Sequence, residues 1–427
     1  MLSGLKPAGC KKPLLIILAM LMPLSAAQAH AEENATPSTK PAPFVSFLEK
    51  TLLKVPAARR IEVGDFNGDH SPDLIFVTSD PSVIWVSCGD GKGKFLPPKK
   101  QGFGGGYKNA VVGATLIATD VDGDGKDEIV TFQERRISSE SSEASLFLVT
   151  SSLKDESLNE RFAVALPAGF SASSQPFVFG EDMNGDKKTD FVFGTNGDTD
   201  LFVMSASTGS QMPSTDSIAR MSSGADESKS SFQALALDAD NDGATDILKV
   251  GEQQIIMIRG EKDVLHISGG SVKPELIVSN FTGPSFDGSA IILHGRMNGD
   301  DFDDLFVVDR AGIGWVLLNV GGERFSTFLS LGLSGYALIQ CGDFNGDGLS
   351  DLVVAGGGYD GLKVQLNSGE AHFDKIIERH FGGKPVSCLR VCDVNNDGLS
   401  DIIVILRGSL GMSEGRVLLN ISQRLKK

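Results

Sequence analysis

The sequence predicts an all-β protein, a seven-bladed β-propeller with four-stranded blades, closed by an N-terminal strand that completes the last blade. Three observations predict it. A nine-residue acidic loop of the kind Asp-x-Asn-Gly-Asp-Gly-x-x-Asp recurs seven times, beginning at Asp65, Asp120, Asp182, Asp238, Arg296, Asp343 and Asp393. The start-to-start spacings are 55, 62, 56, 58, 47 and 50 residues, a period that suits one blade per repeat. Each loop runs into a short burst that is apolar on successive residues, such as Leu74-Ile75-Phe76-Val77 or Ile402-Ile403-Val404. Such a strand is covered on both faces, as neighbouring blades would cover it.

The chain is 427 residues long. Its first 29 residues read as a secretory signal peptide: Lys6, Lys11 and Lys12 precede an apolar core from residue 14 to 24, and Ala27-Gln28-Ala29 forms the cleavage site. Eleven apolar residues interrupted by Pro23 are short for a bilayer span. The expectation is an exported chain, periplasmic, cell-surface or secreted, with no transmembrane anchor after signal cleavage. Residues 30–43 are rich in Ala, Pro, Thr and Glu and read as a linker. Residues 44–427 then form one propeller domain.

The sixth repeat shows the strand parse. Leu338-Ile339-Gln340-Cys341 makes the inner strand, the loop follows, and Asp351 opens a second strand. Lys363-Val364-Gln365-Leu366 makes a third and His372-Phe373-Asp374-Lys375-Ile376 a fourth. The 50 glycines punctuate the hairpins. The seventh repeat stops after Leu419-Asn420 without its fourth strand, while residues 44–54 precede the first inner strand with no partner of their own. Pairing these two ends closes the ring and removes exposed edges.

The loops carry the chemistry. Side-chain oxygens at positions one, three, five and nine converge when positions four and six adopt positive φ, and the carbonyl at position seven can add another. The candidate ligands are Asp65, Asn67, Asp69, Ser71 and Asp73 in the first loop and Asp120, Asp122, Asp124, Lys126 and Glu128 in the second. They continue with Asp182, Asn184, Asp186, Lys188 and Asp190, then Asp238, Asp240, Asp242, Ala244 and Asp246. Loops six and seven contribute Asp343, Asn345, Asp347, Leu349, Asp351, and Asp393, Asn395, Asp397, Leu399, Asp401. Hard oxygen donors with several carboxylates suit Ca²⁺ over Mg²⁺ or a transition metal, and no histidine or cysteine sits at a liganding position. Loops two and four carry four carboxylates each, so they are expected to bind most tightly. In the fifth, Arg296 replaces the first aspartate, and its guanidinium could take the cation's place. About six occupied sites and a vacant fifth are therefore expected. An EF-hand would need Glu at position twelve, where Phe76, Thr131 and Val354 stand.

Charge and composition exclude other classes. The formal net charge of −16 becomes −19 without the three lysines of the signal peptide, which argues against nucleic acid as a partner. Cys88, Cys341, Cys388 and Cys392 show no framework spacing and read as buried thiols. Gly411-Met412-Ser413-Glu414-Gly415 matches G-x-S-x-G but falls in a hairpin with no helix to follow, so it does not read as a nucleophile elbow. Trp85 and Trp315 lie within predicted strands, where core packing is expected.

These repeats resemble FG-GAP or VCBS repeats, found in the seven-bladed propeller head of integrin α chains and in many exported bacterial proteins. The resemblance covers residues 60–425. It implies that the loops join the first and second strands of each blade and bind Ca²⁺ through the positions named. Departures are Arg296 and the non-glycine residues His70, Lys187 and Asp301 at loop position six, where positive φ is strained. The function implied is a binding or scaffold module, for protein interaction or adhesion, with structural calcium and a protein or glycan partner outside the cytoplasm. A polysaccharide-active enzyme or a lectin on the same scaffold is the alternative.

Overall fold

The computed structural model describes residues 45–422, except 57, 79, 81–82, 103–109, 137–143, 155–156, 167–175, 184–188, 196–199, 205–217, 223–232, 252–253, 261–270, 273–275, 281–289, 310 and 409–411. The signal peptide and linker expectations lie outside the described residues.

In chain order, β1 (Phe47–Pro56) precedes blade one: β2 (Ala58–Gly64), β3 (Asp73–Thr78), β4 (Val83–Ser87) and β5 (Lys99–Gly102). Blade two is β6 (Ala110–Thr119), β7 (Glu128–Arg136), β8 (Ala144–Lys154) and β9 (Ser157–Ala165). Blade three has β10 (Pro176–Glu181), β11 (Asp190–Thr195), β12 (Asp200–Met204) and β13 (Ile218–Ser222). Blade four has β14 (Gln233–Leu237), β15 (Asp246–Gly251) and β16 (Gln254–Ile258), then β17 (Ser271–Val272) and β18 (Leu276–Asn280) follow. Blade five is β19 (Ile291–Gly295), β20 (Asp304–Val308), β21 (Ile313–Val320) and β22 (Arg324–Gly332). Blade six is β23 (Leu338–Gly342), β24 (Asp351–Ala355), β25 (Gly361–Asn367) and β26 (Phe373–His380). Blade seven has β27 (Val386–Cys392), β28 (Asp401–Leu406) and β29 (Met412–Asn420).

Apart from one parallel rung in blade three the strand pairings are antiparallel, and the order β1-β29-β28-β27 completes the seventh sheet. Phe47 pairs with Asn420 and Val55 with Ser413, so the two ends of the propeller close the ring as expected. Inner strands touch in the order β2, β6, β10, β14, β19, β23, β27 and back to β2. One sheet departs from four strands. Blade three takes β17 as a fifth, paired parallel to β13 through Arg220–Ser271 and Met221–Val272. A two-residue rung carries little hydrophobic pattern, and nothing local announces it.

The core sits between blades. Seven buried apolar clusters are found among the described residues, one per junction. Blade one shows why: Leu74 and Phe76 face blade seven with Ile403 and Val417, while Ile75 between them faces blade two with Ile129. Side chains of a strand alternate between faces, so a strand buried on both must be apolar at every residue. Each such side chain contributes about 1.5–3 kcal/mol on burial. Trp85 and Trp315 pack at the edges of these clusters, and the four cysteines are unbridged, Cys388 buried and the others half-buried. Cys388 and Cys392 belong to one cluster, as their spacing on β27 requires. No helix of the described residues is long and apolar enough to cross a membrane.

Candidate functional site

The acidic loops all join the first strand of a blade to the second. In each, aspartate side chains replace a hydrogen-bonding partner strand. The first-position carboxylate folds the loop about itself: in the first copy Asp65 Oδ1 accepts from the Gly68 and Asp69 amides at 2.7 and 3.1 Å, and Oδ2 from His70 at 2.7 Å. Loop six repeats this on Asp343 through Gly346 at 2.6 Å and Gly348 at 2.9 Å. The third position caps the fifth, as in Asp347 N to Asn345 Oδ1 at 2.9 Å, and the fifth caps the seventh, as in Leu349 N to Asp347 Oδ1 at 2.9 Å. Position four is left-handed in every described loop, whether glycine (Gly68, φ 78°; Gly346, φ 75°) or asparagine (Asn241, φ 60°; Asn396, φ 56°). Asparagine tolerates that region better than other side chains.

At position six, His70 holds φ 62°, the strain its identity implies. Lys187, with Asn184, Asp186 and Lys188, lies outside the described residues. Asp301 is a correction, since it does not adopt positive φ. Without a first-position carboxylate nothing pulls its amide inward. The Arg296 guanidinium is half-exposed and lies 3.9 Å from the exposed Asp301 carboxylate, at the loop surface. Loop five nonetheless keeps its shape through Asp300 and Asp304.

Position nine is the structural centre. Asp73, Asp190, Asp246, Asp304, Asp351 and Asp401 are fully buried and Glu128 nearly so. In all seven loops this carboxylate accepts the amide of position two, from Val121 to Glu128 at 3.0 Å and from Phe344 to Asp351 at 2.9 Å among them. In five, its other oxygen accepts an amide at the end of the third strand: Gly89, Gly260, Asn319, Asn367 or Asn420. These predicted ligands are therefore first of all rivets between loop and sheet, and Oδ lone pairs beyond those two bonds are what remain for a cation. Burial pushes them up, against the pull of the backbone amides and with a push from neighbouring carboxylates. Asp351 reaches about 8, Asp246, Asp401 and Glu128 about 7, and Asp73 and Asp304 about 6.

Sequence reasoning missed what stitches the loops to one another. Asn319, Asn367 and Asn420 are buried, and each donates through Nδ2 to the position-two carbonyl of the preceding blade, Ala239, Met297 or Phe344, at 2.8, 2.9 and 2.7 Å. The same groups reach the position-eight carbonyl of their own loop. In blades one and four glycine takes this place, and a Cβ there would meet Pro72 O at 2.1 Å or Thr245 O at 2.3 Å, so the backbone makes the close approach directly. A Leu-Asn dipeptide at the end of the third strand of blades six and seven, and one residue short of it in blade five, was the available signal. Position two is an apolar plug between blades, with Phe66, Met183, Ala239, Met297, Phe344 and Val394 all buried.

Hydrogen bonds link adjacent loops at every junction. Position-eight amides of Asp127, Thr245, Ser350 and Ser400 donate to the position-one carbonyls of Asp65, Asp182, Arg296 and Asp343 at 2.8–3.0 Å. Thr189 Oγ1 to Asp120 O, Asn241 Nδ2 to Asp301 O and Asn396 Nδ2 to His70 O complete the circle. The acidic loops form one continuous rim.

Among the described residues, two loops gather three carboxylates with oxygens within 4.8 Å of one another: Asp120, Asp122 and Glu128, and Asp238, Asp240 and Asp246. These are positions one, three and nine; the fifth-position Asp124 and Asp242 stay outside, each capping position seven. An all-oxygen, carboxylate-rich set fits a hard divalent cation. Each third-position carboxylate of these two loops also has an arginine. Arg161 Nη2 contacts Asp122 Oδ2, and Arg259 Nε lies 3.3 Å from Asp240 Oδ2.

Away from the rim, the central channel holds a cavity of about 500 Å³, whose lining includes Arg60, Glu62, Phe177, Phe179, Glu181 and Arg390. The buried Glu62 is shared by Arg60 and Arg390.

A family model for the FG-GAP-like repeat matches residues 65–131 and 343–404, which contain loops one, two, six and seven. No curated protein matches the chain in sequence. Among solved structures, a lectin of Agrocybe aegerita that recognises non-reducing terminal N-acetylglucosamine is 16% identical over 80% of this chain and 82% of that one, with TM-score 0.53. The BBS1N chain solved in complex with ARL6DN is 10% identical over 89% of this chain and 99% of its own, with TM-score 0.54. Such likeness concerns the propeller fold.

Proposed function

For a seven-bladed propeller carrying FG-GAP-like repeats, we propose that the loop rim holds Ca²⁺ and that the chain is a calcium-stabilised binding or scaffold module acting outside the cytoplasm. The observation that carries this reading is the rim itself, a closed belt of acidic loops in which carboxylates meet at one point in loops two and four. Calcium supplies countercharge that favours the ionised form of the position-nine carboxylates, which burial disfavours. Asp65, Asn67 and Asp69 with Asp73 would hold it in loop one, and the matching positions in loops two, three, four, six and seven. Loop five would remain vacant, because Arg296 removes one donor and adds a positive charge. The calcium is structural rather than catalytic, since its ligands are also the groups that fold the rim.

A protein or glycan is the partner class this reading favours. The lectin that recognises a terminal sugar and the BBS1N complex with ARL6DN lend support to that class, and a net charge of −16 disfavours nucleic acid. The testing experiment is equilibrium calcium binding with a parallel thermal melt in chelator. About six ions per chain and a lowered melting temperature in chelator are expected. Each site with free calcium 100-fold above its dissociation constant adds about 2.7 kcal/mol. A chain that binds no calcium, or melts identically with and without it, overturns the proposal.

A further inference from the structure

Loops two and four differ from the others in two respects at once. Each has aspartate in place of asparagine at position three, and each has an arginine on that aspartate. The two arginines arrive by unrelated routes. Arg161 is the extra residue of a β-bulge in β9, where Phe162 pairs with Thr150 and Glu160 with Ser151; a bulge re-aims the side chain it inserts, here toward Asp122, 39 residues earlier. Arg259 instead follows the end of β16 and enters the loop of its own blade from the third strand. Its Nε is shut off from solvent and has no hydrogen-bond acceptor in line, so its contact with Asp240 is an ion pair held by packing. Both pairs are partly shielded, with side-chain exposures of 26% and 12% for Arg259 and Asp240, and 44% and 37% for Arg161 and Asp122. Loops five and seven need no such cation at position three: Asn298 and Asn395 donate their own amides to Asp300 and Asp397 at 2.8 and 3.0 Å.

We propose that Arg161 and Arg259 are tethered competitors for the cation, which hold the third-position carboxylates when no cation is bound and lower the affinity of loops two and four. The inference rests on the reading of the rim as a calcium belt and concerns the tuning of two of its sites. The fourth carboxylate does not add net attraction, because the arginine cancels it. A cation entering either loop must displace the guanidinium or share the carboxylate with it. Loops two and four then fill last, and in their absence the arginines keep the two loops closed.

The test is calcium titration by calorimetry of the full chain, comparing wild type with Arg161→Gln/Arg259→Gln and Arg161→Lys/Arg259→Lys, with melting temperatures of all three in chelator. Partly shielded ion pairs of this kind correspond to about a fivefold effect. Two sites should tighten by about that factor in the glutamine variant and by less in the lysine variant, while the glutamine variant melts lower in chelator. Unchanged affinity overturns the inference, and so does weaker binding, which would make the arginines orienting partners. A wild type that binds no calcium brings down the functional reading as well, so the two failures are distinguishable.

Discussion

Asn420 Nδ2 donates to the carbonyl oxygen of Phe344 at 2.7 Å, across the junction between blades six and seven. The same residue's backbone amide donates to Asp401 at 2.6 Å. One buried side chain thus couples the third strand, its own acidic loop and the loop of the neighbouring blade. Asn367 and Asn319 repeat the arrangement one and two blades earlier. A loop of the rim therefore cannot open without disturbing its neighbour.

Replacing Asn420 by alanine removes both Nδ2 bonds and leaves the Phe344 carbonyl buried without its donor. An unsatisfied buried polar group costs about 1–3 kcal/mol, and each lost bond about 1 more. Equilibrium urea unfolding should show a loss of about 2–4 kcal/mol. A midpoint equal to wild type would mean the contact is dispensable.

Asp304→Asn separates the structural role of position nine from cation binding, because loop five lacks the first ligand. Both Asp304 oxygens accept backbone amides, from Met297 at 2.8 Å and Asn319 at 2.9 Å, and an amide side chain would point a donor at one of them. The variant should lose about 2–3 kcal/mol, by the same amount in calcium and in chelator. Asp343→Asn should lose stability in both conditions, because both its oxygens accept loop amides from Gly346 and Gly348, and should lose more in calcium than in chelator. Calorimetric melts in both conditions make the comparison.

The position-nine carboxylates also dictate a pH dependence. Their folded pKa values, about 6 to 8, lie above the ordinary 3.8 for Asp and 4.5 for Glu. The folded chain then binds more protons than the unfolded chain between those limits, so their contribution is fully present below about pH 4 and is lost as pH rises toward 8. In chelator the melting temperature should fall across that window, and saturating calcium should flatten or reverse the trend. A chelator-treated chain whose melting temperature rises from pH 5 to 8 would contradict this assignment.

Deletion of residues 45–56 removes β1 from the last blade. It uncovers the β29 edge along the whole ladder from Phe47–Asn420 to Pro56–Met412. It also withdraws the buried Leu53 and Val55 from the cluster that holds Ile405 and Val417. Those two side chains alone contribute about 3–6 kcal/mol, and an open strand edge invites pairing between chains. The truncated chain should be unfolded or aggregated by circular dichroism and size-exclusion chromatography.

Much of this was legible in the residues. The period of the loops, the doubly apolar second strands and the unpartnered stretches at the two ends led directly to seven blades and to the β1–β29 closure. The left-handed turn at loop position four was also legible, and Gly68 and Gly346 adopt it; the capping of the Gly68, Asp69 and His70 amides by Asp65 was not. Arg296 was visible as a broken copy, although its effect on the backbone at Asp301 was not.

Repeats and alternation report what each segment does for itself, since strand faces and turn geometry are settled by neighbours two to nine residues away. They carry no record of which distant atom meets which. Arg161 reaches Asp122 only because a bulge in β9 turns it, Asn420 reaches Phe344 only once blades six and seven dock, and β17 joins β13 through two residues. These contacts convert seven acidic turns into a single belt with two arginine-filled places, and they exist only after the ring has closed.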